Sequence, residues 1–141
     1  MNLSIGELSQ RTDVKVPTIR YYERIGLLPQ PPRTQGQQRR FGNDAVARLT
    51  FIRHARELGF DLDAIRTLLL LQDDPDQPCA VADEIAKARL AEVEKRIAAL
   101  TSLKAELSRM IAECACGRVA ECRIIETLAD GSHDHGPLAK G

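Results

Sequence analysis

The sequence predicts a mostly α-helical protein: a winged helix-turn-helix domain in front, one long coiled-coil helix behind it, and a short cysteine-bearing loop at the end. Three observations lead there. The apolar fraction is an ordinary 43%, yet it contains only three Phe, two Tyr and no Trp, and much of it is Ala and Leu. That composition suits helices better than a sandwich or barrel. The charges are segregated: residues 1–57 carry ten Lys/Arg and five Asp/Glu, residues 58–141 ten and fifteen, so a formal net charge of zero hides a basic head and an acidic body. Such asymmetry is what a nucleic-acid-binding head on a separate body would give. Finally, the stretch from about Ala80 to Glu113 contains no Gly or Pro and has apolar residues at helical spacing.

In chain order, Ser4 caps a first helix reaching about Arg11, with Glu7 three residues on completing a capping box. Thr12-Asp13-Val14-Lys15 reads as a tight turn. A second helix starts at about Val16, with Pro17 in its first turn, where a missing N–H does no harm, and stops near Gly26. Two short helices joined by a tight turn in a basic context predict a helix-turn-helix. Three prolines, Pro29, Pro31 and Pro32, then forbid a helix. Gly36 marks a hairpin tip, and Leu27-Leu28 and Arg40-Phe41 are candidate short strands of a basic wing. Asn43 is expected to cap a third helix from Asp44 to about Leu58, with Val46, Leu49, Phe51 and Ile52 supplying its apolar face. Gly59 ends it. A fourth helix covers Asp61 to about Leu71, and the segment Asp73 to Pro78 breaks it.

The long helix carries Leu90, Val93, Ile97, Leu100, Leu103, Leu107, Met110 and Cys114 at steps of three and four, close to a heptad stripe with charged residues elsewhere. Nothing else in the chain is long enough to cover it, so a two-stranded coiled coil with a second copy is expected. Gly117 interrupts the helix, and a short terminal helix fits Cys122 to Ala129. The expected organisation is residues 1–71 as the winged helix-turn-helix domain, 72–79 as linker, 80–113 as dimerisation helix, 114–129 as loop and short helix, and 130–141 as a flexible tail.

Other classes find little support. No stretch approaches 18 apolar residues, the length a membrane helix requires. Met1-Asn2-Leu3-Ser4 does not lead into an apolar run, so no secretory leader and a cytoplasmic location are expected. There is no Gly-rich phosphate loop, paired-carboxylate pocket or Ser/His arrangement, and the C-x-x-C of a thiol oxidoreductase is absent. A regulator rather than an enzyme is therefore expected.

The stretch Ile19-Arg20-Tyr21-Tyr22-Glu23-Arg24-Ile25-Gly26-Leu27-Leu28 closely resembles the signature of the MerR family of regulators. So do Arg39-Arg40-Phe41, Leu49-Thr50-Phe51-Ile52-Arg53 and Glu57-Leu58-Gly59-Phe60, followed in order by the long helix and the cysteine loop. The resemblance covers about residues 2 to 129. It implies a homodimer joined by an antiparallel coiled coil, bound to double-stranded promoter operators whose polymerase-recognition elements are spaced too far apart. Ligand binding then bends and untwists the operator so that RNA polymerase engages both elements, which is indirect readout put to regulatory use. By position, Val16, Thr18, Arg20 and Tyr21 would lie on the recognition helix and Arg39 and Arg40 on the wing. Arg20 can reach base edges or phosphate, while Tyr21 and the wing arginines would hold the backbone. Tyr22 reads as core. Gln38 replaces the Tyr of many relatives.

Four cysteines remain: Cys79, Cys114, Cys116 and Cys122. In a reducing compartment such clustering points to metal or redox chemistry. Cys79 precedes the long helix and Cys114 ends it, about 50 Å apart at about 1.5 Å per residue, too far to share an ion within one chain. In an antiparallel dimer, Cys79 of one chain would meet Cys114 and Cys122 of the other, giving two equivalent sites. Three thiolates suit a soft or borderline divalent metal ion, namely Zn, Cd, Pb or Hg. The resemblance agrees, because a Cys at position 79 goes with divalent-metal sensors, whereas copper(I) sensors usually have Ser there. Cys116 is an additional candidate ligand. The run Cys114-x-Cys116-x5-Cys122 also resembles the iron–sulfur redox sensors of the family, but their fourth cysteine would fall at Ile111, and a four-thiolate cluster would lack a ligand. A metal-binding DNA-binding protein without transcriptional switching is the alternative of a different class. His133-x-His135 reads as part of a solvated tail, and His54 as structural.

Overall fold

A computed structural model describes residues 2–30, 40–113 and 117–131. The chain divides into two compact units, Met1–Asp83 and Glu84–Gly141. The first is built from α1 (Ile5–Thr12), α2 (Val16–Arg24), α3 (Asn43–Glu57) and α4 (Leu62–Gln72), and the 33-residue α5 (Ala80–Ala112) leads into the second. A 3-10 turn, Val119–Glu121, and α6 (Arg123–Ala129) complete the second unit.

The helix limits follow from local chemistry. Ser4 Oγ accepts from Glu7 N at 3.2 Å and Glu7 Oε1 from Ser4 N at 3.1 Å, so the expected capping box is formed. Asp13 ends α1 in the left-handed region at φ 58°, which short polar side chains tolerate better than most. Gly59, at φ +87°, ends α3 as expected, with Gly59 N bonded to Arg56 O and Phe60 N to Ala55 O. Asp61 caps α4 through Ala64 N at 2.8 Å.

Two expectations are corrected. The N-cap of α3 is Gly42 rather than Asn43; Ala45 N and Val46 N bond to Gly42 O, and Asn43 is already the first helical residue. Among the described residues there are no wing strands. Leu27 N and Leu28 N both fold back onto Tyr22 O, closing the end of α2, while Phe41 forms an isolated antiparallel bridge with Leu3. The turn at the end of α2 consumes the amides that a strand at Leu27-Leu28 would have needed. The expected hairpin tip at Gly36 lies outside the described residues.

The core of the first unit is where the helical spacings converge. Leu8 from α1, Ile19 and Tyr22 from α2, Leu49, Ile52 and Ala55 from α3, and Ile65 and Leu69 from α4 are all buried together with Leu27, Leu28 and Phe41. Each fully buried large side chain contributes about 1.5–3 kcal/mol. The buried hydroxyl of Thr12 donates to Leu8 O at 2.8 Å, so burying it leaves no orphaned polar group.

In the second unit the heptad stripe of α5 finds little cover. Leu90, Ile97, Leu100 and Leu107 are 55–58% exposed, and of the helix only Met110 is buried. A regular apolar seam left open along one helix is the signature of a surface that packs against another helix.

Candidate nucleic-acid interface and metal centre

The expected recognition helix, α2, has a buried and an exposed side. Ile19, Tyr22 and Glu23 face the core. Val16 and Thr18 are half-buried, whereas Arg20, Tyr21 and Arg24 are exposed. The side that α2 leaves to solvent therefore carries the residues singled out from the sequence, and Tyr22 is core as expected. The Arg24 guanidinium lies 5.9 Å from the centre of the Tyr21 ring, restraining both side chains. Arg40, expected on the wing, stands 3.5 Å from Glu7 Oε1 in the first turn of α1. Arg39 lies outside the described residues.

A second cationic feature was not anticipated. A cleft of about 420 Å³ opens beside the first turn of α2, lined by Lys15, Thr18, Tyr22, Arg53 and Arg56, with Asp13 and Glu57 at its edge. Arg53 bonds Glu57 at 2.9 Å and Arg56 bonds Phe60 O at 3.2 Å, so both guanidiniums are held in place. The only trace in the sequence was the three-residue spacing of Arg53 and Arg56 on a helix otherwise read as core. His54, between them, is exposed rather than packed in the core.

The two described cysteines, Cys79 and Cys122, occupy helix boundaries. Cys79 is an exposed thiol at the start of α5, its carbonyl accepting from Asp83 N at 3.0 Å. Cys122 is a half-buried thiol at the N-cap of α6, its carbonyl accepting from Glu126 N at 3.0 Å. Cys79 belongs to the first unit and Cys122 to the second. Cys114 and Cys116, with His133 and His135, lie outside the described residues. Among the described residues no three Cys, His, Asp or Glu side chains converge into a group able to hold a metal ion. Ile111, where the iron–sulfur pattern requires a cysteine, is an exposed residue of α5.

A helix-turn-helix with an exposed basic face, joined to a long helix bounded by cysteines, defines a DNA-binding regulatory protein. The family described as MerR HTH family regulatory protein matches residues 3–72, and the one described as MerR, DNA binding, matches residues 46–110. The chain is 42% identical over 132 residues to the HTH-type transcriptional regulator ZntR of Escherichia coli (strain K12), covering 91% of this chain and 93% of that protein. It is 38% identical over 135 residues to the mercuric resistance operon regulatory protein of Pseudomonas fluorescens, covering 93% and 90% of the two chains. The fold is similar to that of the transcription regulator PbrR691 from Ralstonia metallidurans CH34 in complex with lead(II), with a TM-score of 0.77 and 36% identity over 89% of this chain and 98% of that one. The chain belongs to the MerR family of helix-turn-helix regulators. Among the described residues no helix is long and apolar enough to cross a membrane.

Proposed function

We propose that this protein is a metal-responsive transcriptional regulator, not an enzyme, that acts in the cytoplasm. It binds a promoter operator as a homodimer and, on binding a soft divalent metal ion, activates transcription by distorting the DNA. Genes for metal efflux or resistance are the expected targets. The observation that carries the reading is the arrangement around α5. Cys79 caps its front, residue 114 follows its far end, and the 33 helical residues between them span about 50 Å. The open stripe of Leu90, Ile97, Leu100 and Leu107 supports an antiparallel partner helix. Such a partner sets Cys79 of one subunit beside Cys114 and Cys122 of the other.

The donor set fits a thiophilic ion. Three thiolates suit Zn, Cd, Pb or Hg, and Cys116 is a further candidate ligand. The relatives point the same way: one is a mercuric resistance operon regulatory protein, and another was solved in complex with lead(II). At the operator, Arg20 reads base edges or phosphate from the exposed side of α2, with Val16, Thr18 and Tyr21 beside it. Arg39 and Arg40 hold the backbone, and RNA polymerase occupies the same promoter.

The test is in vitro transcription from a promoter with a long spacer, with and without Zn(II), Cd(II), Pb(II) or Hg(II). Metal-dependent activation is expected. Operator binding with no transcriptional effect of any of the four ions would overturn the reading.

A further inference from the structure

The recognition helix ends in a joint held by two arginines from other helices. Gly26, at φ +81°, turns the chain out of α2, and a side chain there would meet Arg66 Nη1 at 3.6 Å. The turn leaves the carbonyls of Ile25 and Leu27 without partners in α2. Arg66 of α4 donates from Nη2 to Ile25 O at 2.8 Å, and Arg48 of α3 donates from Nε to Leu27 O at 2.9 Å. Two cations thus close the negative end of the helix dipole, the end where positive charge is favourable.

Arg48 has a second engagement. Its Nη1 lies 3.3 Å and 3.4 Å from the two carboxylate oxygens of Asp73. Asp73 is the C-cap of α4, its own N–H bonded to Leu69 O at 3.0 Å. It is also the first residue of the short segment leading to Cys79. One guanidinium therefore bridges the end of the recognition helix and the start of that segment.

The two halves of the bridge differ in strength. The bond to Leu27 O is partly buried and charge-assisted, the stronger kind of protein hydrogen bond. The pair with Asp73 is long, and its carboxylate is 55% exposed, the kind of ion pair that contributes little and is easily exchanged. A cavity of about 520 Å³ lies alongside, lined by Arg48, Asp73, Gln72, Leu28 and Phe41 among others, so the guanidinium has room to reorient. A bond that holds on one side and yields on the other is what a two-position coupling element needs.

We propose that Arg48 is a positioning residue that couples the segment leading to Cys79 to the recognition helix, with the Asp73 carboxylate as the contact that exchanges when metal binds. The proposal rests on the metal-responsive function above and names the path by which site occupancy reaches α2. Arg48 is suited to it because a planar fork serves two acceptors at once, which a lysine ammonium on one flexible stem does poorly.

The experiment uses the full-length protein and three readouts: Cd(II) titration by thiolate–metal absorption, operator affinity at fixed salt, and the ratio of transcription with and without Cd(II). For Asp73→Asn, Cd(II) stoichiometry is unchanged and operator affinity stays within about threefold of wild type. The transcription ratio falls by at least about fivefold, the lower end of typical coupling between sites. Asp73→Glu restores the ratio, and Arg48→Lys lowers it as Asp73→Asn does. A residue that only supports the fold would instead lower the melting temperature and weaken operator binding equally with and without metal, leaving the ratio intact. An unchanged ratio in Asp73→Asn, or no rescue by Asp73→Glu, overturns the coupling role. Wild-type protein without any Cd(II) response would remove the function and the coupling together, and the wild-type arm alone reveals that case.

Discussion

Arg123 Nε donates to Glu113 Oε2 at 3.1 Å, and Nη1 of the same guanidinium reaches Glu126 Oε1 at 3.2 Å. Glu113 immediately precedes Cys114 and Arg123 immediately follows Cys122. The ion pair thus joins the two residues flanking the stretch that carries the loop cysteines. The hydrogen bond to Glu113, and then the charge of Glu126, hold the Arg123 guanidinium even more firmly protonated than usual. The pair is exposed, so its effect is small. Arg123→Gln should weaken Cd(II) binding by about two- to fivefold at low salt and by less at about 1 M salt, where exposed charges are screened. Calorimetric titration at the two salt concentrations decides it, and a loss independent of salt would show that the pair acts through something other than charge.

A site shared between subunits predicts complementation. Cys79→Ser, Cys114→Ser and Cys122→Ser homodimers should each lose the metal response while still binding operator. A heterodimer of one Cys79→Ser chain and one Cys122→Ser chain keeps a single complete set of ligands. It should bind one Cd(II) per dimer, where wild type should bind two. Absence of any restored site in the mixed dimer would mean that the three thiols do not meet across subunits.

On the DNA side, Arg20→Ala should weaken operator binding by about 1–3 kcal/mol, the usual cost of losing a base-reading arginine. Titration at one fixed salt concentration measures this, since affinities at different salts are not comparable. Unchanged affinity would remove Arg20 from the interface.

The capping box of α1 gives a pH dependence of known sign. The backbone N–H of Ser4, then its hydroxyl, and then the Arg40 charge hold the Glu7 carboxyl below its ordinary value of 4.5. A depressed folded-state value means that the stabilising contribution is present above about pH 4.5 and is lost as pH falls through the folded value. Wild type should therefore melt above Glu7→Gln near neutral pH, and the two should converge in acid. A gap that persists at about pH 3 would show that the carboxylate charge is not responsible. Ser4→Ala, which removes the cap itself, should cost about 1 kcal/mol.

Features written in neighbouring residues were legible in the sequence. The Ser4–Glu7 box, Gly26 and Gly59 as helix stops, the Asp61 boundary and the span of α5 all depend on spacings of a few residues, which a one-dimensional reading captures. What escaped depends on partners far along the chain. Phe41 reads as a strand residue, but its partner, Leu3, is 38 positions away. Arg48 and Arg66 look like ordinary surface charges of α3 and α4, yet they serve carbonyls 21 and 41 residues upstream. The cluster of Lys15, Arg53 and Arg56 exists only because the fold brings α3 and the start of α2 to the same cleft. Asn43 was a reasonable cap by residue type, but the backbone entered the helix one residue sooner.

The unbroken α5 also behaves as a ruler with coarse graduations. Removing one residue turns everything beyond the deletion by about 100° around the helix axis, so a leucine of the seam would point away from it. Removing seven shortens the helix by about 10.5 Å yet returns the seam to within about 20° of its first direction. The length of α5 can therefore change without breaking the seam in steps such as seven residues, but not one residue at a time. Length variation among functional descendants of this sequence should accordingly be quantised in the helix.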